Sequence, residues 1–331
     1  MLNAQQDADG AWFASEQELL QVRNFNKKLA WLPRFKIRNR VTPRVIQALL
    51  LASQIGGAAR LLKHGLTAEC TVIAAGGVNL PLRIIRPTGQ SQGVVLDFHG
   101  GGWVIGNAQM NDAFNVAMVK TCNVTVVSVD YRLAVSTPIE GVMADCLAAA
   151  RWVLASDHAE FAGLPVIVVG ESAGAHLAAA TLLALKQWPD LLQRVSGALL
   201  YYGVYDLTGT PSVHNAPPQT LVLDGPGMVD ALRLLTPELN DEQRRQPPLS
   251  PLYGDFTGFP PALMFAGELD PLRDDTVQMA ERWQSAAPVE VHVLPASPHG
   301  FIHFPTPFAE RVLTHSRAWI SARIDAATRR S

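Results

Sequence analysis

The sequence predicts an α/β protein built on a mostly parallel sheet with helices on both faces. Short, continuously apolar runs alternate along the chain with segments of helical periodicity, which is typical of strands buried on both faces. The strand candidates are Gly93–Phe98, Val124–Val129, Pro165–Gly170, Gly197–Tyr202, Ala262–Ala266 and Val289–Leu294, and the helix candidates lie near 111–121, 139–155, 173–187, 272–286 and 308–323. Glu69–Ile73 and Leu82–Arg86 are predicted to form a hairpin around two glycines. Ligands of such sheets bind beyond the carboxyl ends of the strands.

Two segments interrupt this alternation in the 331-residue chain. Residues 1–65 are helical and basic, whereas residues 206–250 are rich in Pro, Gly, Asn and Gln and lack a strand pattern. Long insertions between core strands are often lids or binding loops. We therefore expect a core made of residues 66–205 and 251–331, with an insertion at 206–250.

Composition and charge restrict the classes of protein that fit. With 48% hydrophobic and 17% charged residues and a net charge of −2, the chain can bury a large core and resembles neither a disordered protein nor a nucleic-acid binder. Cys70, Cys122 and Cys146 are too scattered for a disulfide framework and favour free thiols. The N-terminus lacks the pattern of a secretory signal, so a cytoplasmic location is expected.

A local charge asymmetry marks the segment from Arg23 to Arg44. It holds eight lysines and arginines and no acidic residue, which leaves 19 basic and 29 acidic residues in the rest of the chain. The neighbouring apolar stretch Val45–Leu62 is interrupted by polar residues and predicts a packed helix rather than a spanning one. We interpret the basic segment 23–44 as a solvated helix face, and contact with a membrane surface is the alternative.

One strand candidate runs directly into the motif Gly170-Glu171-Ser172-Ala173-Gly174. An Ala-rich helical segment follows, and strand, sharp turn and helix are the context of a G-x-S-x-G nucleophile elbow. In such a turn the serine hydroxyl projects outward, and the helix N-terminus offers positive potential. Ser172 is therefore the predicted nucleophile, and a helix N-cap serine is the structural alternative.

Three consecutive glycines follow another strand candidate in the stretch HGGGW at 99–103. Backbone N–H groups at such a bend stabilise the oxyanion formed when a serine attacks a carbonyl, and HGGG loops have this role in lipases and esterases. We assign the oxyanion hole to the N–H groups of Gly101, Gly102 and Ala173. The histidine of the stretch is expected to hold the loop through hydrogen bonds. Trp103 is expected either to line the acyl pocket or to pack in the core.

The order serine, acid, histidine that accompanies this elbow places the base last in the chain. His299 lies in a loop flanked by Pro and Gly, just after the strand candidate Val289–Leu294, which is where a base is expected. His303 is the competing histidine, and its structural alternative is packing beside Phe301 and Phe304. We therefore take His299 as the base.

The acid is expected after the preceding strand candidate, Ala262–Ala266. Asp270 precedes a proline, which biases its backbone toward an extended turn, so Asp270 is the predicted acid. Glu268 is the second candidate. Asp274 and Asp275 better fit the first turn of the next helix, where acidic side chains favour the helix dipole. The sequence shows no pattern of a metal site, and neither a metal nor a cofactor is expected.

Together these motifs resemble those of the hormone-sensitive-lipase-like family of bacterial esterases, and most closely its acetyl esterases. The matching pieces are HGGGW at 99–103, DYRLA at 130–134, GESAG at 170–174, the stretch from Ser250 to Asp275 and SPHGF at 297–301. The resemblance implies an α/β-hydrolase fold over about residues 65–331, with a helical cap formed by residues 1–65 and 206–250. Residue by residue, it places the triad on Ser172, Asp270 and His299 and the oxyanion donors on the positions assigned above.

The chain departs from this family in two places. The family usually has Asp before the serine and a Gly after the motif, where Glu171 and Ala175 stand here. Val135 and Ser136 replace the Pro-Glu that usually follows DYRLA, which is expected to remove an ion pair near Arg132.

The sequence thus predicts a serine carboxylesterase that acts on a small-molecule ester through an acyl-enzyme. Resemblance to acetyl esterases implies short acyl chains, and Trp103, Tyr201 and Tyr202 are bulky candidates for limiting the acyl site. We expect a monomer or a homodimer. One alternative is an amide or peptide hydrolase with the same triad. The other is a non-catalytic binding or regulatory protein on the same scaffold.

Overall fold

The computed structural model describes residues 15–37, 41–155 and 160–329, and an eight-stranded sheet forms the centre of these ranges. The strands are β1 (Ala68–Ala75), β2 (Val78–Ile85), β3 (Gly93–Phe98), β4 (Val124–Val129), β5 (Val166–Glu171), β6 (Val195–Tyr201), β7 (Ala262–Gly267) and β8 (Val289–Leu294). Their spatial order is β1-β2-β4-β3-β5-β6-β7-β8. The first two form an antiparallel hairpin, β2 pairs antiparallel with β4, and strands β3 to β8 run parallel. The predicted α/β class is confirmed, and β3, β4 and β8 have their predicted bounds.

Helices cover both faces of this sheet. Within the described ranges they are α1 (Glu16–Leu29), α2 (Val41–Ser53), α3 (Gly57–Lys63), α4 (Asp112–Cys122), α5 (Ile139–Leu154), α6 (Ala173–Leu185), α7 (Pro189–Gln193), α8 (Pro211–His214), α9 (Met228–Leu235), α10 (Asp241–Arg244), α11 (Arg273–Trp283) and α12 (Pro307–Thr328). Buried side chains of α5, α6 and α11 share one core with the sheet, and those of α4 and α12 share the other.

The central strands are apolar throughout because alternate side chains enter two different cores. In β3, Val94 and Leu96 pack on the side of α5 and α6, whereas Val95 packs on the side of α4 and α12. Every residue of β3, β4, β5 and β7 is buried. Since a fully buried Val or Leu side chain stabilises a fold by about 1.5–3 kcal/mol, this double burial holds the strand ends in place.

The N-terminal segment contacts the insertion between β6 and β7. Phe35 forms a parallel bridge with Leu223, and its N–H donates to the carbonyl of Val222 over 2.6 Å. The Lys36 ammonium lies 3.2 Å from the carboxylate of Asp224. These contacts join the two segments that the resemblance assigns to a cap.

In the described ranges, no single helix is long and apolar enough to cross a membrane. Helices α2 and α3 reach the required length and hydropathy only as a pair, and a bend of 42° separates them.

Arg132 is paired, although the sequence predicts the loss of an ion pair near it. Its guanidinium donates to both carboxylate oxygens of Asp145, over 2.8 Å and 2.7 Å, and its backbone N–H donates to the same side chain over 3.0 Å. Because Asp145 lies on α5, 13 residues further along the chain, this pair does not depend on position 136, where the loss of an ion pair stays a prediction.

Candidate active site

Ser172 sits at a sharp turn between β5 and α6. Its backbone has φ 54° and ψ −118°, a region that non-glycine residues rarely occupy. The flanking glycines make the turn sterically feasible: a Cβ on Gly170 would lie 2.4 Å from the carbonyl oxygen of Gly174, and one on Gly174 would lie 1.9 Å from that of Phe98. The turn therefore requires glycine at both positions, as the elbow motif predicts.

The predicted triad comes together at the carboxyl ends of β5, β7 and β8. His299 Nε2 lies 2.9 Å from Ser172 Oγ, and His299 Nδ1 lies 2.8 Å from Asp270 Oδ2. The other oxygen of Asp270 accepts the backbone N–H of Leu272 over 2.8 Å, which fixes the carboxylate. One imidazole thus bridges a hydroxyl and a buried carboxylate, the arrangement that activates a serine.

The competing acids have other partners. Glu268 is exposed and accepts the backbone N–H of Ala296 over 2.7 Å, so it holds the loop that leads to His299. Asp274 and Asp275 lie in the first turn of α11, as predicted. There Asp274 accepts the backbone N–H of Ser212, in the insertion, and Asp275 accepts that of Tyr205, just before the insertion.

Asp275 carries a strongly shifted pKa because it is buried. Burial raises its pKa to about 7, against the opposing effect of hydrogen bonds from the Thr210 hydroxyl and the backbone N–H groups of Tyr205 and Asp206. The side chain anchors the insertion to α11 and does not touch the triad residues in any described hydrogen bond.

The triple-glycine bend adopts a backbone that favours glycine. Gly101 and Gly102 have φ of 108° and 58°, and a Cβ on Gly101 would lie 2.2 Å from the carbonyl oxygen of Ile105. Among the hydrogen bonds of the described residues, none uses the N–H groups of Gly101, Gly102 or Ala173. No described hydrogen bond therefore occupies these three N–H groups.

His99 and Tyr131 hold this bend from below. The Tyr131 hydroxyl donates to the His99 carbonyl over 2.6 Å, and His99 Nδ1 lies 2.8 Å from the carbonyl oxygen of Gly100. The two rings stack with centroids 4.1 Å apart. Burial lowers the pKa of His99 to about 4, so the imidazole is neutral at pH 7. The predicted role of His99 in fixing the loop agrees with this geometry.

Trp103 both packs in the core and lines the cavity described below. Its indole N–H donates to His176 Nδ1 over 3.2 Å, and His176 Nε2 lies 2.8 Å from the carbonyl oxygen of Leu249. Burial lowers the pKa of His176 to about 4, which keeps this imidazole neutral. The chain of contacts connects the glycine bend, α6 and the end of the insertion.

His303, the competing histidine, contacts Glu171, the residue before Ser172, and makes no described hydrogen bond to Ser172 or Asp270. Its Nε2 lies 2.6 Å from Glu171 Oε2, and the Tyr202 hydroxyl donates to the same oxygen over 2.8 Å. Burial alone would raise the pKa of Glu171, but the charge and hydrogen bond of His303 and the Tyr202 hydroxyl hold it at about 2. Burial lowers the pKa of His303, but the charge and hydrogen bond of the Glu171 carboxylate have the larger effect. The pKa of His303 is therefore raised.

A cavity of about 650 Å³ opens above Ser172 and His299. Trp103 and Tyr202 line it, and so do Phe35, Lys36 and Ile37 from the N-terminal segment. Its apolar wall is completed by residues of the insertion and of neighbouring loops: Ile105, Met110, Val204, Val222, Leu223, Met228, Leu232, Leu234 and Leu235.

Tyr201 does not line this cavity. Its ring stacks on Phe265 with centroids 5.6 Å apart, on the sheet face covered by α4 and α12. The prediction for Tyr201 was wrong because Tyr201 is the last residue of β6 and packs against the sheet, whereas Tyr202 lies past the strand end, with φ 39°, and reaches the cavity.

Sequence reasoning missed the residues of the insertion that face the cavity. Met228, Leu232 and Leu235 on α9 recur at i, i+4 and i+7, which is the spacing of one apolar helix face. That spacing in the sequence predicts an apolar helix face, but it does not indicate that the face lines the cavity.

Comparison with known proteins places this geometry in a family. A family model described as α/β hydrolase fold matches residues 95–303. This chain belongs to that family. A carboxylesterase from Mycobacterium tuberculosis, NlhH, is 32% identical over 248 residues, covering 71% of this chain and 75% of the relative. An acetyl esterase from Salmonella typhi is 28% identical over 245 residues, covering 72% and 74%.

Solved structures agree with this assignment. A hormone-sensitive lipase from a metagenome library has a TM-score of 0.72 at 26% identity, covering 92% of this chain and 98% of its own. A bacterial heroin esterase has a TM-score of 0.79 at 25% identity, covering 93% and 97%. The resemblance read from the motifs, to the hormone-sensitive-lipase-like esterases, is thereby confirmed.

Proposed function

We propose that this α/β hydrolase is a serine carboxylesterase that acts on esters with short acyl chains. The observation that carries the proposal is the single imidazole of His299, which lies within hydrogen-bonding distance of both Ser172 and Asp270. The named relatives that act on carboxylic esters support the substrate class. A small-molecule ester is the proposed partner, and no step requires a cofactor.

The reaction follows from the atoms in place. His299 Nε2 takes the proton of Ser172 as Oγ attacks the ester carbonyl, and Asp270 stabilises the resulting imidazolium. The oxyanion accepts the N–H groups of Gly101, Gly102 and Ala173, each worth about 2.7–4 kcal/mol in the transition state. The imidazolium then protonates the leaving alcohol, and a water activated by the same imidazole hydrolyses the acyl-enzyme.

Two bulky side chains that line the cavity support short acyl groups. Tyr202 and Trp103 are both buried and both line the cavity, and the Tyr202 ring lies 4.7 Å from the His299 ring, centroid to centroid. The Tyr202 ring is hydrogen-bonded to Glu171 and the Trp103 ring to His176. Moving either ring to admit a long acyl chain would break a hydrogen bond and disturb a closely packed core.

A series of nitrophenyl esters of increasing acyl length, with a matched anilide, tests this proposal. We expect kcat/KM to peak at or below about six acyl carbons and to fall about 10³-fold or more in Ser172→Ala. Ser285→Ala, at an exposed serine on the α11 side, is the matched control and should retain activity. A peak at long chains would contradict the acyl preference, and faster turnover of the anilide would indicate an amidase. No turnover by the wild type would indicate a binding protein.

A further inference from the structure

A second cluster of titratable side chains lies between β8 and α12. Glu290 and His292 are two residues apart on β8 and therefore share a face of the strand, and His315 comes from α12. Glu290 Oε1 lies 2.7 Å from His292 Nε2 and 2.6 Å from His315 Nε2. One ligand atom from each of the three residues lies within 4.8 Å of the other two.

We propose that Glu290, His292 and His315 bind a divalent transition-metal ion, for which Zn²⁺ is the best suited. Two imidazoles and a carboxylate are a ligand set that Zn²⁺ takes, at about 2.0–2.2 Å per ligand. Tetrahedral bonds of that length hold neighbouring ligand atoms about 3.3 Å apart. The two contacts with Glu290 therefore need to open by about 0.6–0.7 Å, and the two histidine ligand atoms already lie within 4.8 Å of one another. The proton of each imidazole would then be on Nδ1.

The surroundings of the cluster suit an ion that enters from solvent. The side chains of Glu290, His315 and His292 are 39%, 33% and 11% exposed, so a water can take the fourth position. On the inner side, the Phe265 ring stacks on His292 at 5.4 Å and meets His315 edge-on at 6.3 Å. Packing against one ring orients both imidazoles before the ion arrives.

Binding would fasten the last helix to β8, which pairs only with β7 among the described strands. The site was not predicted from the sequence because its ligands lie on two elements, 23 residues apart, and form no local motif. The proposal is independent of the esterase reaction, since none of the three residues belongs to the triad.

Calorimetry and thermal unfolding with ZnCl₂ on metal-stripped protein test the site. We expect one Zn²⁺ per chain and a raised melting temperature for the wild type. His315→Gln and Glu290→Gln should each weaken binding at least about tenfold. The controls are His64→Gln, at an exposed histidine on the surface, and His299→Gln, which removes the triad imidazole, and both should bind as the wild type does. No binding by the wild type, unchanged binding by both cluster variants, or loss of binding in His299→Gln would overturn the proposal.

An independent observation concerns the surface of the N-terminal helices. Large apolar side chains are exposed there, and Trp31 is 90% exposed. We call the following set the N-terminal patch: Trp31, Leu32, Val45, Leu49, Leu51, Ile55 and Leu62. No acidic residue occurs between Leu19 and Ala68, and Lys27, Lys28, Arg44, Arg60 and Lys63 are exposed.

We infer that the N-terminal patch docks on an anionic lipid surface. Exposed apolar side chains flanked by lysines and arginines are typical of helices that lie in the membrane interface. A second copy of this chain fits less well, because a two-fold dimer would bring the same basic surface against itself. Phe35, Lys36 and Ile37 lie in the chain between Leu32 and Val45 of the patch and line the cavity, so docking would bring this side of the cavity toward the lipid.

Cosedimentation with vesicles tests the docking. We expect the wild type to bind phosphatidylglycerol-containing vesicles at low salt, to bind pure phosphatidylcholine at least about tenfold more weakly, and to be released at high salt. The double variant Leu49→Gln/Ile55→Gln should lose binding to the anionic vesicles, whereas the matched control Val72→Gln/Val293→Gln, at exposed strand positions, should keep it. Failure to bind, equal binding to both vesicles, or a solution dimer that the double variant dissociates would each overturn the inference.

Discussion

Asp270 has no contact with the reacting atoms in the proposed reaction, yet it decides which nitrogen of His299 carries the proton. Its Oδ2 lies 2.8 Å from His299 Nδ1, so the proton stays on Nδ1 and Nε2 is free to accept from Ser172. An amide in its place keeps the shape but can present an N–H to Nδ1 and favour the wrong tautomer.

Asp270→Asn is therefore expected to lower kcat about 10³–10⁴-fold with little change in stability, since the side chain keeps its volume. Steady-state kinetics on a short-chain ester, together with thermal unfolding, measure both effects. Asp274→Asn, four residues further on, is the matched control and should stay within about threefold of the wild type. Equal loss in both variants would contradict the assigned role.

The ion pair between Glu171 and His303 makes stability depend on pH. Because the pKa of His303 is raised in the folded state, its contribution is fully present below the ordinary imidazole pKa of about 6.5 and is lost as pH rises through the folded value. The pKa of Glu171 is held at about 2, so the carboxylate itself stays charged throughout that window.

We expect the stability advantage of the wild type over His303→Gln to shrink as pH rises from about 6 to about 9. Thermal unfolding of both proteins at several pH values across that range gives the difference directly. His64→Gln should show no such trend, because His64 is exposed. A difference that stays constant or grows with pH would show that the pair contributes through something other than charge.

The residues of the proposed triad could be predicted from the sequence because each lies in a short motif at a strand end. Ser172 is marked by two glycines, and His299 by a proline and a glycine. Tyr201 and Tyr202 could not be separated in this way, because the choice between them depends on where β6 ends. The pairing of Arg132 with Asp145 was missed for a related reason, since it joins a loop to a helix.

At the scale of elements, the approach of α6 to the sheet depends on Gly174. The carbonyl oxygens of Phe98 and His99 lie 1.9 Å and 2.6 Å from where its Cβ would stand, and backbone cannot yield as a flexible side chain can. The close approach brings the N-terminus of α6 beside the triple-glycine bend, where the proposed oxyanion forms.

Gly174→Ala should destabilise the fold by at least about 2 kcal/mol, because α6 must move away from β3. Gly89→Ala is the matched control: no atom lies within 4 Å of its added Cβ, and its φ is not positive. Urea unfolding of the two variants measures the difference in the free energy of unfolding. Equal free energies of unfolding for Gly174→Ala and Gly89→Ala would contradict the close packing of α6 against β3.

The order and type of the core elements could be predicted because the strands are continuously apolar and the helices are periodic. The insertion was harder to predict, since α8, α9 and α10 are short and depend on contacts with α11 and with the N-terminal segment. Local sequence signals carry little of that long-range information.

At the scale of the whole molecule, the cavity is closed by two segments far apart in the chain. Phe35 contributes both to the wall and, through its bridge to Leu223, to the joint between the segments. The division into core and cap and the cytoplasmic location remain predictions from the sequence.

Phe35→Ala should raise KM several-fold for a short-chain nitrophenyl ester and leave kcat within about twofold, because it removes binding shared by substrate and transition state. Trp31→Ala, a nearby aromatic residue that is almost fully exposed, is the control and should leave KM unchanged. A fall in kcat without a change in KM would indicate that the N-terminal segment positions the triad instead.

The most direct test of the central claim is mass spectrometry after reaction with a small fluorophosphonate, which traps an activated serine covalently. The account predicts one phosphonyl group per chain, on the peptide that holds Ser172, with none in Ser172→Ala and much slower labelling in His299→Gln. Labelling of another residue, or equal labelling in Ser172→Ala, would contradict it.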